Sequence, residues 1–242
     1  MPSVSHRLDR FVARHLSISK KAVRELLIQR KIMVDGKATN IMNHIIGPFT
    51  SVIVDGDIIQ QRQAVYLMLN KTKGVVSATK DEKHKTVIDL IDHPLKNELH
   101  IAGRLDFNTT GLLLLTNDGT WSKQLSLPDN NVMKTYRVTL KESLSRSDIE
   151  TYQKTFHKGV LLLPENIITR PATLVALDAN TVELSICEGR YHQVKRMFGC
   201  FQNEVLELHR LSVGSLLLDE KLGLGEVRDI TTKEIMTITH VN

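Results

Sequence analysis

Cysteine, aromatic side chains and long apolar runs are all scarce in this chain of 242 residues. Its two cysteines, Cys187 and Cys200, are too few for a disulfide framework and are not spaced as a zinc site. Two reduced thiols in a cytoplasmic protein are therefore expected. Apolar runs such as Leu112–Leu115 fall far short of the roughly 20 residues needed to cross a bilayer, so no membrane role is expected. The first residues lack the basic-then-apolar pattern of a secretion signal. Aromatic content of 5% argues against a binding surface dominated by rings, while 41% hydrophobic residues suffice for a real core.

What the chain does have is an uneven charge. Residues 1–63 carry 10 Lys/Arg against 5 Asp/Glu, and the rest carries 22 of each. The whole formal charge of +5 thus lies in the first quarter. A small basic module on a neutral body suggests docking to a polyanion, with another task left to the body. The alternative is that these charges only solubilise a small domain.

Periodicity organises the basic segment. Leu8, Phe11, Val12 and Leu16 fall on one helical face, and Ser19 is placed to cap a second helix carrying Val23, Leu26 and Leu27. Ile32–Val34 and Val52–Val54 read as strands closed by Asp35-Gly36 and Asp55-Gly56. The polar helix faces and their flanks present Arg7, Arg10, Arg14, Lys20, Lys21, Arg24, Arg30 and Lys31. RLDRFVARHLSISKKAVRELLIQRKIMVDGK resembles an S4 domain, a small RNA-binding module. That resemblance implies RNA contacts by Arg7, Arg10, Lys20, Lys21, Arg24 and Lys31, largely to phosphate and shape, and weakened by salt.

After the polar stretch Gln60–Gln63 the pattern changes. Strand-like runs at Val65–Leu69, Tyr136–Leu140, Ala172–Ala176, Thr181–Ile186 and Val205–Leu208 alternate with helical stretches at Thr120–Leu127 and Ser145–Thr155. Ser145 and Asp148 have capping-box spacing. The expected fold class is α+β: an S4-like α/β module over 1–60, then a body over 61–242 with a mainly antiparallel sheet and flanking helices.

Asp106 lies in GRLDFNTTG, a polar loop just before Leu112–Leu115. By itself such an aspartate would serve as a helix cap or Asx-turn. GRLDFNTTGLLLLTNDG (103–119), KTYRV (134–138), EGRYHQVKRMFG (188–199) and VLELHRLSVG (205–214) together resemble the motifs of RsuA-type pseudouridine synthases, which act on single sites in ribosomal RNA. The resemblance implies that Asp106 is the nucleophile and that Tyr136 packs against the target base. It also implies that Lys195 pairs with the aspartate and that Leu208 lines the pocket. Arg104, beside Asp106, is a further substrate-binding candidate. The basic patch Arg190, His192 and Arg196 would contact RNA, His192 being read as a structural or RNA-contacting residue rather than a general base. A nearby cation keeps a partly dry carboxylate ionised and oriented. The usual NKP motif of these enzymes reads LNKTKG here, with Thr72 where proline would stiffen the turn.

The implied reaction frees uracil from its ribose, rotates it and rejoins it through carbon 5. No metal or cofactor is expected for such an isomerisation, and the sequence offers no phosphate-cradling loop or dinucleotide motif. The expected partner is ribosomal RNA or a ribosomal subunit assembly intermediate, with the protein acting as a monomer. The segments AGRLDFNTTG, TNDGTWS and GRYHQVKRMF look most like those of the branch that acts on small-subunit 16S rRNA, which that resemblance implies as the substrate. The open alternatives are the large-subunit 23S rRNA, a non-catalytic RNA-binding protein of ribosome assembly, and a hydrolase using Asp106 with His192.

Overall fold

The computed structural model describes residues 5–239. They form two compact units, one of residues 5–64 with 118–120 and one of residues 65–117 with 121–239.

In the first unit, helices Leu8–Leu16 and Lys20–Ile28 pack on a small antiparallel sheet. Its strands run in the order Lys37–Ala38, Ile32–Val34, Val52–Val54, Asp57–Gln60. Ser17 ends the first helix in the left-handed region, and the Ser19 hydroxyl accepts the Ala22 N–H to start the second. At both Asp-Gly pairs the two residues have positive φ, as tight hairpins require (48° and 75° at Asp35-Gly36, 52° and 93° at Asp55-Gly56). Leu8, Val12, Val23 and Leu27 meet Ile32, Val34, Ile46, Val52 and Val54 in one core. Leu16, expected on the buried face, is 37% exposed because its helix stops there.

The second unit is built on one large sheet. Its main order is Thr173–Ala176, Thr181–Ile186, Lys134–Leu140, Val205–Val213, Thr110–Thr116, Tyr66–Lys71, Val227–Asp229. His100–Ala102 adds to Thr110–Thr116, and Leu216–Leu217 to Val205–Val213. Within this sheet the pairings are antiparallel except at one place, where His209 and Arg210 run parallel to Thr110 and Gly111. The expected mainly antiparallel α+β body is what the chain adopts.

Thr110–Thr116 is buried along its whole length. Successive side chains alternate faces: Leu113 and Leu115 enter one hydrophobic cluster, Leu112 and Leu114 the other. The run of four leucines is therefore a central strand covered on both sides. The first cluster is closed by helix Arg146–Lys158, begun by the Ser145–Asp148 capping box, through Tyr152 and Phe156. Phe198 from helix Gln193–Gly199 meets Phe156 edge to face, and Tyr152 stacks on Phe201. The second cluster is covered by Trp121, Leu125 and Ile238.

The parallel seam requires a glycine. Gly111 has φ +101°, and a Cβ there would lie 2.3 Å from the Arg210 carbonyl oxygen and 2.6 Å from its nitrogen. Both strain and backbone collision forbid a side chain. Gly111→Ala is expected to lower stability by about 3 kcal/mol or more, measured as a fall in the denaturant midpoint. A midpoint unchanged from wild type would contradict this packing.

Candidate active site

Asp106 sits on the turn that joins His100–Ala102 to Thr110–Thr116. This turn is fastened from beneath. The fully buried Lys71, at the end of the Tyr66–Lys71 strand, donates to the carbonyls of Asp106 (3.1 Å), Phe107 (3.3 Å), Thr109 (3.0 Å) and Thr72 (3.0 Å). The Ser77 hydroxyl bridges both backbone groups of Leu105, and the Gly74 N–H donates to the Phe107 carbonyl. From the other side the buried Arg210 donates Nε to the Leu112 carbonyl at 2.7 Å and Nη1 to the Arg104 carbonyl at 3.4 Å. Two internal cations thus hold the backbone on which Asp106 projects. Burial pulls the Lys71 ammonium down from 10.5 to about 8, and the Asp106 carboxylate opposes that shift.

The Asp106 side chain itself remains 36% exposed and opens into a cleft of about 580 Å³. Tyr136, Leu208, Lys195, Arg104, Arg190 and His192, all singled out in the sequence, line that cleft. Tyr136 and Leu208 are nearly buried and form apolar walls. Tyr136 lies opposite Arg210 across the paired strands, and Leu208 opposite Val138. Lys134 also faces the cleft. Burial first, and then Arg210, lowers its pKa to about 8, with Cys187 opposing.

The group that meets the Asp106 carboxylate is His192, Nε2 to Oδ2 3.7 Å, rather than Lys195. Lys195 is half-buried in the same cleft, on helix Gln193–Gly199, and forms no ion pair with Asp106. His192 holds φ 48° and ψ 31°, a left-handed position at the start of that helix. Its ring stacks on Tyr191 at 3.9 Å between centroids. The loop behind them is pinned by the buried Glu188, which accepts from the Arg170 N–H, Gln193 Nε2 and Arg190 Nε. Gln193 in turn accepts the Arg190 N–H.

The remaining basic residues divide by their partners. Arg196 turns away into Glu165 and the carbonyls of Leu163 and Tyr191. Arg190 is tied to Glu188, Arg7 to Asp9 by two hydrogen bonds, and Lys31 to Asp55 at 2.9 Å. Arg10, Lys20, Lys21 and Arg24 stand exposed on the first unit.

Lys71, Arg210, Glu188 and Gln193 had no role assigned from sequence. A cation inside an apolar strand, as in YLMLNK, is the signal that marks Lys71. Arg210 lies two residues beyond Leu208 on a strand and so shares its face.

One partly exposed carboxylate, an aromatic wall and a basic rim suit an enzyme that receives a base from a polyanion. A family model described as RNA pseudouridylate synthase matches residues 65–199, and the chain belongs to that family. It is 42% identical to ribosomal small subunit pseudouridine synthase A of Yersinia pestis, over 96% of this chain and 97% of the relative. The enzyme of the same name from Escherichia coli K12 is 41% identical over 96% and 99%. A solved crystal structure of a pseudouridylate synthase superposes with a TM-score of 0.69 at 36% identity, covering 96% of this chain and 99% of that one.

The Lys71 clamp has a pH signature. Folded Lys71 loses its proton as pH rises through about 8, whereas the unfolded group keeps it to the usual 10.5. Between those values the unfolded state binds more protons, so this titration favours the folded state as pH rises. The neutral amine nevertheless has only two N–H groups for four carbonyls. Hydrogen-exchange protection factors at residues 105–109 should fall above pH 8 with no matching fall in the thermal midpoint due to this group. Protection factors unchanged from pH 7 to 9.5 would remove the clamp's dependence on charge.

Proposed function

We propose that this protein isomerises a specific uridine of small-subunit 16S rRNA to pseudouridine, with Asp106 as the essential carboxylate. The observation that carries the reading is the Asp106 side chain opening into a cleft that Tyr136 and Leu208 also line, in a chain similar along 96% of its length to small-subunit enzymes. The target uridine leaves its stack and enters the cleft. Tyr136 and Leu208 hold the loose uracil and keep water away while it turns, and Asp106 acts at the reacting nucleotide. Lys195 lines the same cleft, and His192 faces the carboxylate across 3.7 Å and orients it. Arg104 and Arg190 lie where the flanking backbone would pass.

Residues 1–60 act in this reading as an S4-like docking module. The exposed Arg10, Lys20, Lys21 and Arg24 bind phosphate, assisted by Arg7 and Lys31 once they exchange their carboxylate partners. Arg196, occupied by Glu165, supports the loop rather than the RNA. The substrate is ribosomal RNA or a subunit assembly intermediate, met by a monomer in the cytoplasm. Among the described residues no helix is long and apolar enough to cross a membrane.

Purified Asp106→Asn should lose pseudouridine formation on 16S rRNA by roughly three orders of magnitude or more while staying folded. Chemical tagging and mass spectrometry supply the readout. Equal isomerisation by both proteins would overturn the catalytic assignment, and cleaved RNA in place of an isomer of unchanged mass would point to a hydrolase. Replacing Arg10, Lys20, Lys21 and Arg24 together by glutamate should weaken rRNA binding. It should also flatten the plot of log affinity against log salt by roughly 0.7–0.9 for each phosphate that is no longer neutralised. An unaltered salt slope would contradict the docking role.

A further inference from the structure

The Tyr191 ring is 74% exposed, yet it stands at the mouth of the cleft on a rigid support. One of its faces is covered by the His192 imidazole, 3.9 Å between centroids and 20° between planes. The Tyr191 carbonyl accepts from Arg196 Nη1 at 3.2 Å, and Arg196 is itself locked to Glu165. On the inner side, Glu188 and Gln193 fix the loop through the hydrogen bonds described above. The ring is therefore held in place by its backbone and by a stacked neighbour, with its remaining surface open to solvent. His192, the neighbour, is the group that faces Asp106.

We propose that Tyr191 is a stacking platform for the nucleobase next to the target uridine, and so a residue that selects and positions the substrate. The inference rests on the proposed RNA-modifying function. When the target uridine turns into the cleft, the adjacent base loses a stacking partner. A preordered aromatic face at the cleft mouth replaces that partner at little entropic cost, and every base has a π-face to offer. Arg104 and Arg190 line the same cleft and in this proposal accompany the phosphates beside the stacked base. The stack persists from bound substrate to transition state, so it contributes to affinity more than to the chemical step.

The test uses the full-length enzyme and a 16S rRNA fragment spanning the uridine located by pseudouridine mapping. Fragments with a single abasic residue on the 5′ or the 3′ side of that uridine supply the second perturbation. Tyr191→Ala should raise KM about tenfold or more with kcat within about twofold, and Tyr191→Phe should behave as wild type. One of the two abasic fragments should raise the wild-type KM by a similar factor and cost Tyr191→Ala nothing further. Because the side chain is exposed, the thermal midpoint should not change. Penalties that multiply, an unaffected Tyr191→Ala, or a loss in kcat alone would overturn the proposal. If the wild type forms no pseudouridine, the functional reading fails. The same non-additivity, read as equilibrium binding of the two fragments, then still decides whether Tyr191 stacks on the RNA.

Discussion

The Lys71 ammonium, wholly inside the protein, gathers the carbonyls of Thr72, Asp106, Phe107 and Thr109. A buried charge is costly unless hydrogen bonds replace its hydration. Here the replacement comes almost entirely from one turn, so the turn and the cation stabilise each other. Arg210 does the same from the neighbouring strand through the Arg104 and Leu112 carbonyls. Asp106 projects from a backbone that is fixed on both sides while its carboxylate opens to the cleft, where His192 faces it at 3.7 Å. A rigid frame under a partly exposed side chain is what the proposed role of Asp106 requires.

The frame lies at the one place where the sheet changes direction. Two antiparallel halves meet in the short parallel contact of His209–Arg210 with Thr110–Gly111, and Gly111 lets the backbones close. The turn carrying Asp106 comes from one half, and the strands carrying Tyr136, Leu208 and Arg210 belong to the other. Residues of both halves line the cleft, and the leucines of Thr110–Thr116 anchor both hydrophobic clusters. Substitution in the seam therefore acts on stability and on site geometry together.

Local chemistry made much of this legible in the sequence. Ser19 and the Ser145–Asp148 pair cap helices where their spacing predicts, and the two Asp-Gly pairs turn hairpins. These features depend on a few neighbouring residues. The motif segments also named Asp106, Tyr136, Lys195 and Leu208, which do line one cleft. Less legible was whatever depends on pairing distant strands. The parallel seam, the clamps of Lys71 and Arg210, and the meeting of His192 with Asp106 join residues from 35 to 106 positions apart. The seven-residue helix Gln193–Gly199 was hidden in what read as a basic patch, and that helix turns Arg196 toward Glu165 and away from the cleft. Spacing also does not reveal which of several nearby basic side chains faces a carboxylate, because that is set by backbone conformation, here the left-handed His192.

The proposed conversion of one small-subunit rRNA uridine through Asp106 can be read out in cells. Its most direct test is a pseudouridine map of both rRNAs from cells lacking the protein, complemented with wild type or with Asp106→Asn. One small-subunit site should vanish in the deletion, return with the wild type and stay absent with Asp106→Asn. Identical maps in all strains, or the disappearance of a large-subunit site instead, would contradict that proposal.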